Sequence, residues 1–166
     1  MRFRTYSYRF AEQVLNSKLK LKKEIENIIG SVKVKPNAFS RPELNRILET
    51  EFADEGWESQ PTVFDEPKDP SARIDFLKGR IGIEVGFGHS SFIGIDLLKF
   101  QTLSYSNLDK IDVGVYIVVT NGFRKRLCSE YKQKWQGSLT FEKVCRYLPH
   151  FRSAIQVPIF VYGLEE

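Results

Sequence analysis

Cysteine, histidine and methionine are all scarce. The 166 residues hold two cysteines, two histidines and one methionine. Cys128 and Cys145 cannot staple a disulfide framework, and they lack the CxxC spacing of a zinc site. A reduced, cytoplasmic protein is the expectation. Long apolar runs are missing too. None approaches the roughly 20 residues that span a bilayer, so no membrane partner is expected. The opening MRFRTYSYRF is basic and aromatic and has no apolar h-region, which argues against a signal peptide. Apolar residues themselves are not in short supply. At 42% hydrophobic and 28% charged the chain has globular balance, which excludes disorder as its main state. The length suits one domain with one sizeable core.

Charge is unevenly distributed. Residues 1–50 carry 11 basic and 5 acidic side chains, residues 51–75 carry 2 and 8, and residues 76–166 carry 12 and 8. The net charge is +4, with a pI near 9.0. An acidic stretch between two basic flanks suits a protein that attracts a polyanion and holds a divalent cation at one point, although solvated surface charge accounts for it as well.

Hydrophobic spacing predicts helices over Ala11–Ile29, stopped by Gly30, and from Ser40 to Gly56. Ser40 is the expected N-cap, with Pro42 in the first turn and Glu43 closing a capping box. Asp65–Pro70 reads as an acidic, proline-rich loop. Ala72–Phe76 and Arg80–Phe87 read as strands around a Lys78-Gly79 turn. Gly88–Ser91 reads as a turn, Phe92–Tyr105 as a helix and Asp112–Thr120 (DVGVYIVVT) as a buried central strand ended by Asn121-Gly122. Arg124–Lys134 and Phe141–Leu148 read as helices, and Val157–Tyr162 as a last buried strand. The expected organisation is a helical part over 1–56, a sheet core over 57–120 and a basic part over 121–166. The fold class is α/β.

Asp75 and Glu84 stand out. Each lies among apolar neighbours (RIDF and IGIEVGFG), and a hairpin between them brings both carboxylates to one face. Two acids buried side by side are costly unless they bind a cation or one is protonated. Hard oxygen ligands of this kind suit Mg2+ or Mn2+. Such an ion activates water and stabilises charge on a phosphate under attack. The alternative is that each acid faces solvent or pairs with Arg73 or Arg80.

The segments IDFLKGRIGIEVGFG (74–88), DLLKFQ (96–101) and IDVGVYIV (111–118), preceded by ELNRILETEFADEGW (43–57), resemble in their order the PD-(D/E)XK nuclease superfamily. They are most similar to the BamHI-like and BglII-like branch of type II restriction endonucleases. The resemblance covers about residues 40–120. It implies a three-layer α/β/α core around a mixed sheet. It also implies Mg2+, replaceable by Mn2+, held by Asp75, Glu84 and the carbonyl of Val85. The eight residues between the two acids match the BglII-like spacing. Position 86, where relatives carry Lys, Glu or Gln, is Gly86, which cannot hold water or move a proton. Lys99 and Gln101 on the following helix are the candidate substitutes. Gln101 and Tyr105 also resemble the QxxxY pattern of RecB-type nucleases, against the plainer reading of Gln101 as a helix-surface residue and Tyr105 as packing. Glu43, Glu49 and Glu51 lie on the earlier helix, from which one relative or another adds a carboxylate to the metal.

The resemblance places DNA contacts after the Glu84 strand, at His89, Ser90 and Ser91, and after the next strand, at Asn121, Arg124, Lys125 and Arg126. Arg pairs with guanine and Asn with adenine in the major groove, and a helix N-terminus favours phosphate. Capping and turn roles are the alternatives for His89, the serines and Asn121. Residues 121–152 hold 8 basic and 2 acidic side chains, which favours a polyanion on that flank. The implied function is metal-dependent cleavage of double-stranded DNA at a short palindromic site by a homodimer, in the cytoplasm of a prokaryote, alongside a cognate DNA methyltransferase. The alternatives are a structure-selective repair nuclease of the same fold, or a DNA-binding protein that lost catalysis at Gly86.

Overall fold

The computed structural model describes residues 1–33, 40–63, 73–105 and 108–166. The expected loop at Asp65–Pro70, and Ala72 at the start of the expected first strand, lie outside them.

The elements are β1 (Arg2–Tyr8), α1 (Ala11–Asn16), α2 (Leu19–Ser31), α3 (Arg41–Asp54), β2 (Glu58–Ser59), β3 (Phe76–Lys78), β4 (Ile81–Val85), α4 (Ile93–Tyr105), β5 (Val113–Val119), α5 (Asn121–Ser129), α6 (Phe141–Tyr147) and β6 (Ile159–Glu165). Short 3-10 turns at Ser90–Phe92 and Leu148–Phe151 join them. The strands form one mixed sheet in the order β1-β6-β5-β4-β3-β2. β4, β5 and β6 run parallel, and the strands outside them are antiparallel to their neighbours.

Side chains alternate across the sheet, and each face is apolar. Ile83, Val115, Ile117 and Phe160 meet Leu15 of α1, Ile25 of α2, Leu48 of α3 and Leu127 of α5. Tyr116, Val118 and Val161 meet Leu97 and Phe100 of α4 and Val144 of α6. Burial on both faces explains why β5 reads as an unbroken apolar run. The result is the expected three-layer α/β/α arrangement.

Several boundaries differ from the sequence reading. Residues 1–56 are not purely helical, because RFRTYSY forms β1 on the sheet edge, in register with β6 from Arg2 opposite Glu165 to Tyr8 opposite Ile159. The sheet therefore draws on both ends of the chain. The predicted helix 11–29 is two helices. The Ser17 hydroxyl donates to the Val14 carbonyl and closes α1, and α2 runs past Gly30 to Ser31. The Ser40 cap forms, its hydroxyl accepting from the Glu43 amide, but the Glu43 carboxylate turns to Arg46. The hairpin turn sits one residue later than predicted, at Gly79-Arg80, where both residues have φ above +50°. That is the geometry of a two-residue turn matched to strand twist. Asn121-Gly122 does not end β5 in a turn. It starts α5, with Thr120 as cap.

Candidate active site

β3 and β4 pair with Phe76 opposite Ile83, so the register carries on to set Asp75 beside Glu84 just beyond the end of β3. Both acids lie at the carboxyl end of β4. In an open α/β sheet this end is the one that collects ligands.

Asp75 is fixed on two sides. Its Oδ2 accepts from the Val85 amide at 2.7 Å, and its Oδ1 accepts from Gln60 Nε2 at 2.8 Å. A cleft of about 200 Å³ opens beside it, lined by Asn45, Glu49, Gln60 and Val85. Of the three upstream glutamates, Glu49 is the one that faces Asp75. Burial raises the Asp75 carboxyl above the usual range, against the pull of the Val85 and Gln60 hydrogen bonds.

Glu84 is 6% exposed. Its Oε1 accepts from Lys99 Nζ at 2.8 Å, and its Oε2 is buried with no partner among the described residues. Burial, then the charges of Asp75 and Asp96, push this carboxyl well up. Lys99 reaches in from α4 and also lies 3.8 Å from Asp96 Oδ1. Asp96 Oδ2 in turn accepts from the Tyr116 hydroxyl at 2.5 Å. Burial raises the Asp96 carboxyl as well. Arg80, the sequence-level alternative partner, turns away to Asp109 and Asp112.

Three carboxylates and one ammonium leave two formal negative charges in a buried cluster. A divalent cation would balance that charge and contact the Glu84 Oε2, and without one a proton shared between Glu84 and Asp96 relieves it. The donors Asp75, Glu84 and the Val85 carbonyl therefore fit a hard divalent ion. The Val85 carbonyl accepts from the Phe87 amide at 3.1 Å. Among the described residues no three His, Cys, Asp or Glu side chains converge as a ready-made metal cage.

The two substitutes proposed for position 86 part company. Lys99 joins the cluster. Gln101 does not, because its Oε1 accepts from the backbone amides of Gln156 and Val157 at 2.6 and 3.1 Å. Tyr105 is exposed and lines a cavity with Tyr8, Arg9 and Arg152, separate from the Asp75 cleft.

The expected DNA-contacting residues lie at the same end of the sheet, after β4 and β5. His89 caps the 3-10 turn, with its Nδ1 2.8 Å from Ser91 Oγ. Ser90 accepts from Lys143 at 2.9 Å. Arg124 donates to Asn121 Oδ1 at 2.9 Å, while the Asn121 amide donates to Glu142. Lys125 is exposed. Arg126 is held by Glu130 and Glu166 at 3.2 and 2.7 Å, which makes it the least available of the set. Sequence reasoning passed over Gln60, Asp96 and Tyr116, and also residues 137–139, whose backbone pairs with 88–90. A readable signal existed for Asp96: with Lys99 at i+3 it is one of two charges in the otherwise apolar run IGIDLLKF.

The sequence matches the family described as restriction endonuclease BglII/BglIII over residues 3–164. The fold is similar to that of restriction endonuclease BglII complexed with a DNA 16-mer, at a TM-score of 0.80 and 22% identity, covering 100% of this chain and 77% of that one. It is also similar to free BglII, at a TM-score of 0.71 and 21% identity, covering 100% and 80%. No curated protein sequence matches.

Proposed function

Since the chain belongs to the restriction endonuclease BglII/BglIII family, and is thus an endodeoxyribonuclease of type II, we propose that it cuts double-stranded DNA at a short palindromic site using Mg2+ or Mn2+ at Asp75 and Glu84. The observation that carries this is the Glu84 carboxylate. One of its oxygens is engaged by Lys99, and the other is buried beside Asp96 with no donor among the described residues.

Asp75, Glu84 and the Val85 carbonyl would hold the cation, which would supply Lewis acidity toward the phosphate and lower the pKa of water. The chain's own residues do the rest. Gln60 and the Val85 amide hold the Asp75 carboxylate in one orientation. Lys99, tied to Glu84, brings a positive charge toward the phosphate as negative charge builds up there, which is the task left open by Gly86. His89, which shares a cavity with Glu84, and Ser90, Ser91, Asn121, Arg124 and Lys125 contact DNA, with a lesser part for Arg126. A two-fold site calls for a two-fold homodimer. Residues 1–166 act as one catalytic domain in a prokaryotic cytoplasm, beside a methyltransferase that protects the host's own sites.

Asp75→Asn and Glu84→Gln each test the assignment. Both variants should lose at least about 100-fold in cleavage and keep DNA affinity in EDTA. Parental cleavage rates in either variant would remove these residues from the metal site.

A further inference from the structure

A tyrosine hydroxyl under the centre of the sheet has no packing reason to be there. Tyr116 lies on β5 directly opposite Glu84 of β4, fully buried on the α4 face. Its ring packs edge-on against Phe100, with centroids 6.0 Å apart, and phenylalanine would satisfy that contact equally well. The hydroxyl instead donates to Asp96, itself a buried acid on the apolar side of α4. Both polar groups are costly in such a place unless they have a joint task.

Gly86 shows what the task is. A Cβ built on Gly86 would fall 2.6 Å from the Tyr116 ring and 2.9 Å from its hydroxyl. The backbone cannot drift to relieve this, because the Gly86 amide is bonded to the Ile117 carbonyl at 2.8 Å. A side chain at position 86 and the tyrosine at position 116 therefore exclude one another. The phenol occupies the space that the third catalytic side chain would enter, and the polar chain continues from it. Tyr116 bonds Asp96, Asp96 faces Lys99 at 3.8 Å, and Lys99 bonds Glu84 at 2.8 Å.

We propose that Tyr116 and Asp96 are positioning residues that replace the missing side chain at position 86 by holding Lys99 in place against Glu84. The replacement moves the third catalytic group from the strand to the helix. Tyr116 fixes the rotamer of Asp96. Asp96 lies on the second side of the Lys99 ammonium and so fixes where it meets Glu84. Neither residue touches the reacting atoms. The inference rests on the nuclease reading above.

The test compares the parent with Tyr116→Phe, Asp96→Asn and Gly86→Ala by Mn2+ calorimetry, by cleavage kinetics and by DNA affinity in EDTA. Losing such a supporting contact typically costs 10–100-fold in metal affinity or activity. Tyr116→Phe, which keeps the ring and its packing, should weaken Mn2+ binding and lower kcat by about 10-fold, with KM and DNA affinity unchanged. Asp96→Asn should do at least as much, and Tyr116→Phe should add little on top of it because the two act in series. Gly86→Ala should match or exceed Tyr116→Phe by displacing the ring. Parental Mn2+ affinity and kcat in Tyr116→Phe, or a fully active Gly86→Ala, would overturn the proposal while leaving the nuclease reading intact. A parent that neither binds Mn2+ nor cleaves DNA would overturn both.

Discussion

Replacing Lys99 by methionine keeps the buried stem and removes the charge. The side chains of Lys99 and Glu84 are each 8% exposed and meet at 2.8 Å. Losing one partner of so buried a pair leaves Glu84, Asp75 and Asp96 as three neighbouring acids without a cation. Breaking a pair of this kind costs about 3–5 kcal/mol. For a chain of this size that lowers Tm by roughly 6–20 °C. The deficit should depend on pH with a definite sign. Burial and the adjacent acids hold the Glu84 carboxyl above its unfolded value, so the native state takes up a proton more readily than the unfolded chain does. Stability tied to this group is therefore gained as pH falls through the folded pKa and lost as it rises. The gap between Lys99→Met and the parent should be widest at pH 8 and should narrow toward pH 5. Mn2+ should restore part of it by supplying the missing positive charge, while cleavage stays lost. The assay is thermal melting followed by circular dichroism, in EDTA and in Mn2+, across that pH range. Equal melting of the two proteins in EDTA at pH 8 would refute the reasoning, because it would mean that Lys99 does not neutralise Glu84.

Three further outcomes follow from the same geometry. Mn2+ at ten times its Kd should stabilise the parent by about 1.4 kcal/mol, or roughly 3–6 °C in Tm, and should shift Glu84→Gln by nothing measurable. Arg124→Ala should weaken DNA binding and reduce the slope of log affinity against log salt by about one if Arg124 contacts a phosphate; an unchanged affinity at every salt concentration would take Arg124 out of the interface. Burial, then the charge of Glu142, pushes the Cys145 thiol up to about 12, so it should resist a thiolate-directed reagent at pH 8 in the folded protein and react on denaturation, as mass spectrometry of the labelled chain would show.

The acid pair was readable because a hairpin of fixed register is a local object. The turn is signalled by Gly79, and the strands by Ile81, Ile83 and Val85, so the pairing of Asp75 with Glu84 follows from counting. The α/β layering was readable for the same reason, from the apolar run of β5 and the periodic helices. Other features depend on contacts between distant segments. Gln101 looks like a site residue until the amides of Gln156 and Val157 claim it, and nothing near it in sequence announces them. Tyr116 looks like one more large residue in a buried strand until its hydroxyl meets Asp96 from α4. Gly86 read as a gap in the catalytic set. In the fold that space is filled from the neighbouring strand. β1 went unread although Arg2, Phe3 and Arg4 alternate polar and apolar, because a strand at the sheet edge needs only one apolar side and can carry charge on the other.

The central proposal is that the buried acids Asp75 and Glu84 hold the metal with which this endonuclease cuts DNA, and the most direct measurement is digestion of phage DNA of mixed sequence in Mg2+, Mn2+ or EDTA, resolved on a gel. Discrete fragments in either metal and intact DNA in EDTA are the predicted result. Intact DNA in all three lanes, from protein that still retards DNA on the gel, would contradict it, as would fragments that persist in EDTA.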